Sequence, residues 1–168
     1  MARPAQEPDE VDDIVAAWKR ERPDVDVSAM QVLSRVSRLA RHLDRARKQA
    51  FAAHGLETWE FDVLSALRRT GPPYDLSPGR LVAETMVTSG TMTNRVDRLV
   101  DRGLVQRRPD PHDRRGVLVS LTATGRRSVD AALDELLDHE RTILGGLDAG
   151  EASRLADALR TLARNVQR

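Results

Sequence analysis

Apolar residues return every three or four positions along most of this chain, a period that predicts a largely helical protein. Val11, Ile14, Val15 and Trp18 share one face of a short helix over about 10–20, which Pro23 ends. Asp24 to Ser28 reads as a linker that caps the next helix. From about Ser28 to Ala53, the residues Met30, Leu33, Val36, Ala40, Leu43, Ala46 and Ala50 make a long apolar stripe. Arg35, Arg38, Arg41, Arg45 and Arg47 occupy the other positions, and Gly55 stops the helix. A further helix from about Thr58 to Thr70 turns Phe61, Leu64 and Leu67 inward and ends at Gly71-Pro72-Pro73.

Ser77-Pro78 then supplies an N-cap followed by proline in the first helical turn, so a short helix starts there and runs to about Glu84. Thr88 or Ser89 caps the next, which carries Met92, Val96, Leu99 and Val100 to a stop near Gly103. At Leu104 the period changes to two. Leu104 to Arg108 and Gly116 to Leu121 read as strands joined by the turn residues Asp110-Pro111-His112-Asp113, an antiparallel hairpin with arginines at its tip. Thr122 opens a helix with Val129, Leu133, Leu136, Leu137, Ile143 and Leu144, which Gly145-Gly146 breaks. Asp148-Ala149-Gly150-Glu151 is a capping box, and Leu155, Leu159, Leu162 and Val166 line one side of the last helix.

Composition removes several functions. There are no cysteines, and the four histidines are scattered with no i, i+4 pair, so neither a metal, a disulfide nor a cofactor is expected. No apolar run approaches the roughly 18 residues of a membrane helix. Met1 to Asp12 has no apolar core, so it is no signal peptide, and a cytoplasmic protein is expected. Acidic residues such as Asp62, Asp101 and Asp113 fall on different elements with no nucleophile or phosphate loop beside them, so no enzyme is expected.

The net charge of +1 hides a distribution. Between Arg80 and Arg115 eight arginines face five acidic residues, whereas Met1 to Asp13 holds one arginine against five acids. A basic middle calls for an anionic partner.

Two short helices, a tight turn and a basic hairpin make a winged helix-turn-helix. Such a unit needs small polar side chains on the first turns of its second helix to enter the major groove of double-stranded DNA. Thr88, Ser89, Gly90, Thr91, Thr93, Asn94 and Arg95 meet that need, and Arg98 one turn on and Ser77, which caps the first helix, are expected to contact DNA as well. Arg95 can bond guanine or phosphate, and Asn94 can bond adenine. Arg114 and Arg115 at the hairpin tip suit a neighbouring minor groove. The same fold can serve as a protein-interaction module, and these arginines could also merely solvate a helix face.

Three segments carry a family resemblance: Ser89-Gly90-Thr91-Met92-Thr93-Asn94-Arg95-Val96-Asp97-Arg98-Leu99, Gly103-Leu104-Val105, and the Asp110-x-x-Asp113-Arg114-Arg115-Gly116 wing. Together with Leu121-Thr122-x-x-Gly125 they resemble the MarR family of bacterial regulators, from about Met30 onward. The resemblance implies a homodimer on a pseudo-palindromic site, with dimerisation helices over 28–57 and 122–168 and the DNA-binding unit over 58–121. Residues 1–27 form an extension with an added helix, similar to the branch that answers urate or related purines. In that branch a Trp on the added helix, an Asp on the helix before the DNA-binding unit and two Arg form the ligand pocket and its relay. Trp18, Asp62, Arg95 and Arg107 match those positions, which implies release from DNA by a small anion. Urate is a planar anion that an indole and a guanidinium fork can hold, though a phenolic or carboxylate effector is an alternative. Trp18 can equally be a packing residue, and Asp62 an ion-pair partner.

Overall fold

The computed structural model describes residues 7–113 and 115–166. Seven helices and one three-stranded sheet are found among them, in two compact units divided after Ala46.

The first unit is built on helix α1 (Glu10–Glu21) and the larger part of α2 (Met30–Ala53). Asp9 caps α1: its carboxylate accepts from the N–H groups of Val11 and Asp12, and the Asp12 carboxylate accepts from Asp9 N–H at 2.9 Å. Val11, Val15 and Val27 are buried with Met30 against them in a small core. The acidic arm finds its counter-charges nearby, because Arg35 bonds both Asp9 and Asp12 and Arg38 pairs with Glu10. The expected linker caps its own turn, the Asp26 carboxylate accepting from Ser28 N–H and hydroxyl, and α2 starts at Met30.

The second unit holds the main core, around Phe51, Leu64, Leu67, Leu81, Met92, Leu99 and Val119. At the end of α2, Gly55 takes φ +68° while Leu56 N–H bonds Phe51 C=O and Gly55 N–H bonds Ala52 C=O. That left-handed close satisfies the last helical carbonyls. Helix α3 (Thr58–Arg69) buries Phe61, Leu64 and Leu67, as its period requires, and Phe61 stacks on Phe51 at 3.9 Å between ring centroids. Helix α4 (Pro78–Thr85) starts where Ser77 accepts from Arg80 N–H, and α5 (Ser89–Asp101) starts where Thr88 accepts from Thr91 N–H. Met92, Val96 and Leu99 form the buried stripe of α5.

The sheet differs from the expected hairpin. Strand β2 (Val105–Pro109), one residue later at both ends than the expected run, pairs with β3 (Val117–Leu121), which starts one residue later, and a third strand, β1 (Asp75–Leu76), adds to the outer edge of β3. Two residues carry too little periodicity to mark a strand; the free edge of β3 recruits them. Helix α6 (Ala123–Leu144) is capped by Thr122, and Gly125 is needed there because a Cβ would lie 2.0 Å from the Leu104 carbonyl oxygen. Helix α7 (Ala149–Val166) follows the Asp148/Glu151 capping box and buries none of its residues. Leu155, Leu159 and Leu162 are exposed on it, as are Leu133, Leu137, Ile143 and Leu144 on α6 and Val32, Leu33, Val36 and Leu39 on α2. No described helix is long and apolar enough to cross a membrane.

Candidate nucleic-acid interface

Helix α5 is the element with polar side chains to offer, because its buried stripe turns the intervening positions outward. Thr88, Ser89, Gly90, Thr91, Thr93 and Asn94 are all exposed around its first two turns, and Arg95 and Ser77 are partly exposed. The Thr88 and Thr91 hydroxyls lie 2.9 Å apart and the Thr93 hydroxyl donates to Ser89 C=O, so the polar groups already have defined directions. The connection from α4 turns through Met86, which holds φ 54° and is almost wholly exposed.

The wing is held by its own backbone. Asp110 N–H bonds Gly116 C=O, Gly116 N–H bonds Asp113 C=O, and the Asp110 and Asp113 carboxylates accept from His112 and Arg115 N–H. A Cβ on Gly116 would come within 2.8 Å of the Asp110 Cβ, which explains the glycine at this tip. Arg115 is exposed there. Arg114, the other arginine expected at the tip, lies outside the described residues.

Two ion-pair systems flank α5. On the wing side, Arg107 shares the face of β2 that carries buried Val105, and its Nη2 donates to Asp97 Oδ1 at 2.6 Å. On the α3 side, Trp59 meets two guanidinium groups, Arg98 at 4.7 Å and Arg95 at 5.4 Å from the ring centroid, within the range of cation–π attraction. Glu57 accepts from Trp59 Nε1 and from Arg98 Nη2, each at 2.8 Å. The Trp59 hydrogen bond, with Arg98 assisting against partial burial, holds the Glu57 carboxyl below the usual carboxylate range. Arg102, at the end of α5, pairs with the fully buried Glu60 and donates to Gly55 C=O at 2.7 Å.

Of the four residues matched to a ligand pocket, Asp62 and Arg95 line one open cleft of about 570 Å³, with Trp59 and Lys48 beside them. The Asp62 carboxylate is paired with Arg47, at 4.0 Å. Arg107 is engaged with Asp97 and is not among the residues lining that cleft. Trp18 belongs to the first unit, on α1, where it is 47% exposed.

Sequence reasoning missed Glu57, Trp59, Asp97 and the Glu60–Arg102 pair. Signals for them existed. Trp59 is one of only two tryptophans, set between two acids at a helix start, and Asp97 is a lone acid between two arginines of α5.

Comparison with known proteins agrees with this geometry. Residues 54–116 match the sequence model of the MarR family. The chain is 38% identical over 157 residues to the HTH-type transcriptional regulator PecS of Dickeya dadantii (strain 3937), covering 94% of this chain and 95% of that protein. It is 37% identical over 107 residues to the HTH-type transcriptional repressor NicR of Pseudomonas putida, covering 64% of this chain and 66% of the relative. Among solved structures it is similar to a mutant of MarR from E. coli complexed with operator DNA, with 27% identity and a TM-score of 0.65 over 82% of this chain and 99% of the other. With mainly helical architecture, a winged sheet and a polar helix between two ion-pair systems, the chain belongs to the MarR family of DNA-binding transcriptional regulators and is not an enzyme.

Proposed function

We propose that the protein is a homodimeric repressor that binds a pseudo-palindromic operator and is released by a small anionic metabolite such as urate. The observation that carries the switch is the position of Arg95. It stands on the helix that reads DNA, and it lines the same cleft as Asp62, so one side chain answers both partners.

In this reading Thr88, Ser89, Thr91, Thr93, Asn94 and Arg95 address the major groove, Ser77 and the start of α4 approach phosphate, and Arg114 and Arg115 reach the minor groove. A two-fold dimer would set two such helices about one turn of DNA apart. The exposed leucines of α6 and α7 support a dimer, because apolar stripes this long are costly in water. The family complex with operator DNA supports the DNA partner.

For the effector, the resemblance offers α1 as the added N-terminal helix and Trp18 as its aromatic residue. The anion competes with Asp97 for the Arg107 guanidinium on the wing side of α5, and the loss of that link is relayed through α5 to the cleft that Arg95 shares with Asp62. Arg95 moves in response. Ligand and DNA then oppose one another through one coupling free energy, typically about 1–3 kcal/mol.

The test is a titration of urate, xanthine and aromatic acids against the protein bound to its own upstream intergenic DNA. Urate is expected to release the DNA. Asp62→Ala and Arg107→Ala should keep DNA affinity while losing the urate response. Equal ligand sensitivity in both variants would sink the switch, whereas a response to a phenolic acid alone would reassign the effector.

A further inference from the structure

Two arginines of α5, three residues apart, lean on one tryptophan of α3, but they differ in what else they touch. Arg98 is 4.7 Å from the Trp59 ring centroid and also donates to Glu57 Oε1 at 2.8 Å. The other oxygen of that carboxylate accepts the Trp59 indole N–H at 2.8 Å. Carboxylate, indole and guanidinium thus close a three-membered unit in which each group restrains the other two. Arg95 lies 5.4 Å from the same ring centroid, and among the described residues it makes no ion pair.

The difference matters to a polyanion. An aromatic face attracts a cation through its quadrupole but leaves the full positive charge in place. A carboxylate in hydrogen-bond contact opposes that charge directly. Arg95 is therefore oriented yet uncompensated, and Arg98 is oriented and compensated. Glu57 stays ionised at neutral pH, since the indole hydrogen bond and Arg98 favour its charged form.

We propose that Glu57 decides which α5 arginine answers DNA: Arg95 is the contacting cation, and Arg98 is a positioning residue that braces α5 against α3 and is withheld from phosphate. This rests on the DNA contacts proposed above. It gives Glu57 and Trp59 a part in setting affinity, although neither belongs to the motif that marks the recognition helix. Glu57→Gln keeps an acceptor for the indole N–H and removes only the charge, so it should release Arg98 to the DNA backbone.

The salt dependence of affinity counts cations placed on phosphate, because each one displaces counterions and adds about 0.9 to the slope of log affinity against log salt. The experiment measures that slope by fluorescence anisotropy on a mixed-sequence DNA duplex. Arg95→Gln should weaken binding and lower the slope. Arg98→Gln should leave the slope at the wild-type value, and Glu57→Gln should steepen it by about one. The double variant Glu57→Gln/Arg98→Gln should return to the wild-type slope, which a purely structural role for Glu57 would not produce. A fall of about one in Arg98→Gln alone, or an unchanged slope in Glu57→Gln, overturns the inference and leaves the DNA reading intact. A wild-type protein whose binding has no salt dependence would overturn the DNA contacts themselves, and the inference with them.

Discussion

The guanidinium of Arg107 donates to the Asp97 carboxylate at 2.6 Å, tying the first wing strand to the exposed flank of α5. Both side chains are roughly half exposed, so the pair is screened and contributes at most about 1 kcal/mol to stability. Its importance is geometric: it is a link that an anion can compete for. Asp97→Asn is therefore expected to change unfolding free energy by under about 1 kcal/mol while blunting the release of DNA by urate. Urea melts and an anisotropy titration check the two halves. A urate response equal to wild type would detach Arg107 from the switch.

Glu60 is the opposite case. Its side chain is fully buried and Arg102 is its cationic partner, so truncating the arginine strands a carboxylate in the core. Arg102 is itself 42% exposed, which places the cost of Arg102→Ala toward the lower end of the roughly 3–5 kcal/mol seen for broken buried pairs. Adding Glu60→Gln should recover part of that loss. Chemical denaturation of the two variants measures it, and a single-variant loss below about 1 kcal/mol would show that water already reaches the carboxylate.

The apolar residues left exposed on the last helix predict an assembly. Leu155→Asp/Leu159→Asp would place two charges in the proposed dimer seam and weaken association by roughly a hundred-fold or more. Analytical ultracentrifugation should show the shift from dimer to monomer. An unchanged dissociation constant would place the interface elsewhere.

The first unit should loosen in acid. Asp9 is held below its ordinary 3.8 chiefly by the Arg35 hydrogen bond, and Asp12 by the Asp9 N–H and then by Arg35. A carboxyl depressed in the folded state adds stability that is present above its unfolded value and is lost as pH falls through the folded one. The anchoring of α1 should thus be complete at neutral pH and disappear below 3.8. Amide protection factors at Val11 and Val15 report it, and Arg35→Ala should show the acid behaviour already at neutral pH.

Much of the frame was legible because its signals are local. An N-cap is decided within three residues: Ser77, Thr122 and Asp148 start helices where their spacing predicts, and of the two candidates read for α5 the cap is Thr88. A core face follows from the 3.6 period alone, so Phe61, Leu64 and Leu67, then Met92, Val96 and Leu99, are buried as read. The polar start of α5 follows from the same period, being what the buried stripe leaves facing outward.

Partner choice was not legible, since it depends on which helices meet. Glu57 and Arg98 stand 41 positions apart, and Glu60 and Arg102 stand 42 apart; neither spacing carries a period or a motif. Arg107 could be read as a ligand cation from its place in the motif, yet only the packing of β2 beside α5 supplies Asp97 as its partner. Strand β1 exists because β3 offers it an unpaired edge, not because Asp75 and Leu76 prefer to be extended. Hydrogen bonds between near neighbours are written into spacing, so the sequence by itself determined the helices and their faces. Charges find partners through space, so only the tertiary structure decided which arginine on α5 stands free and which is held.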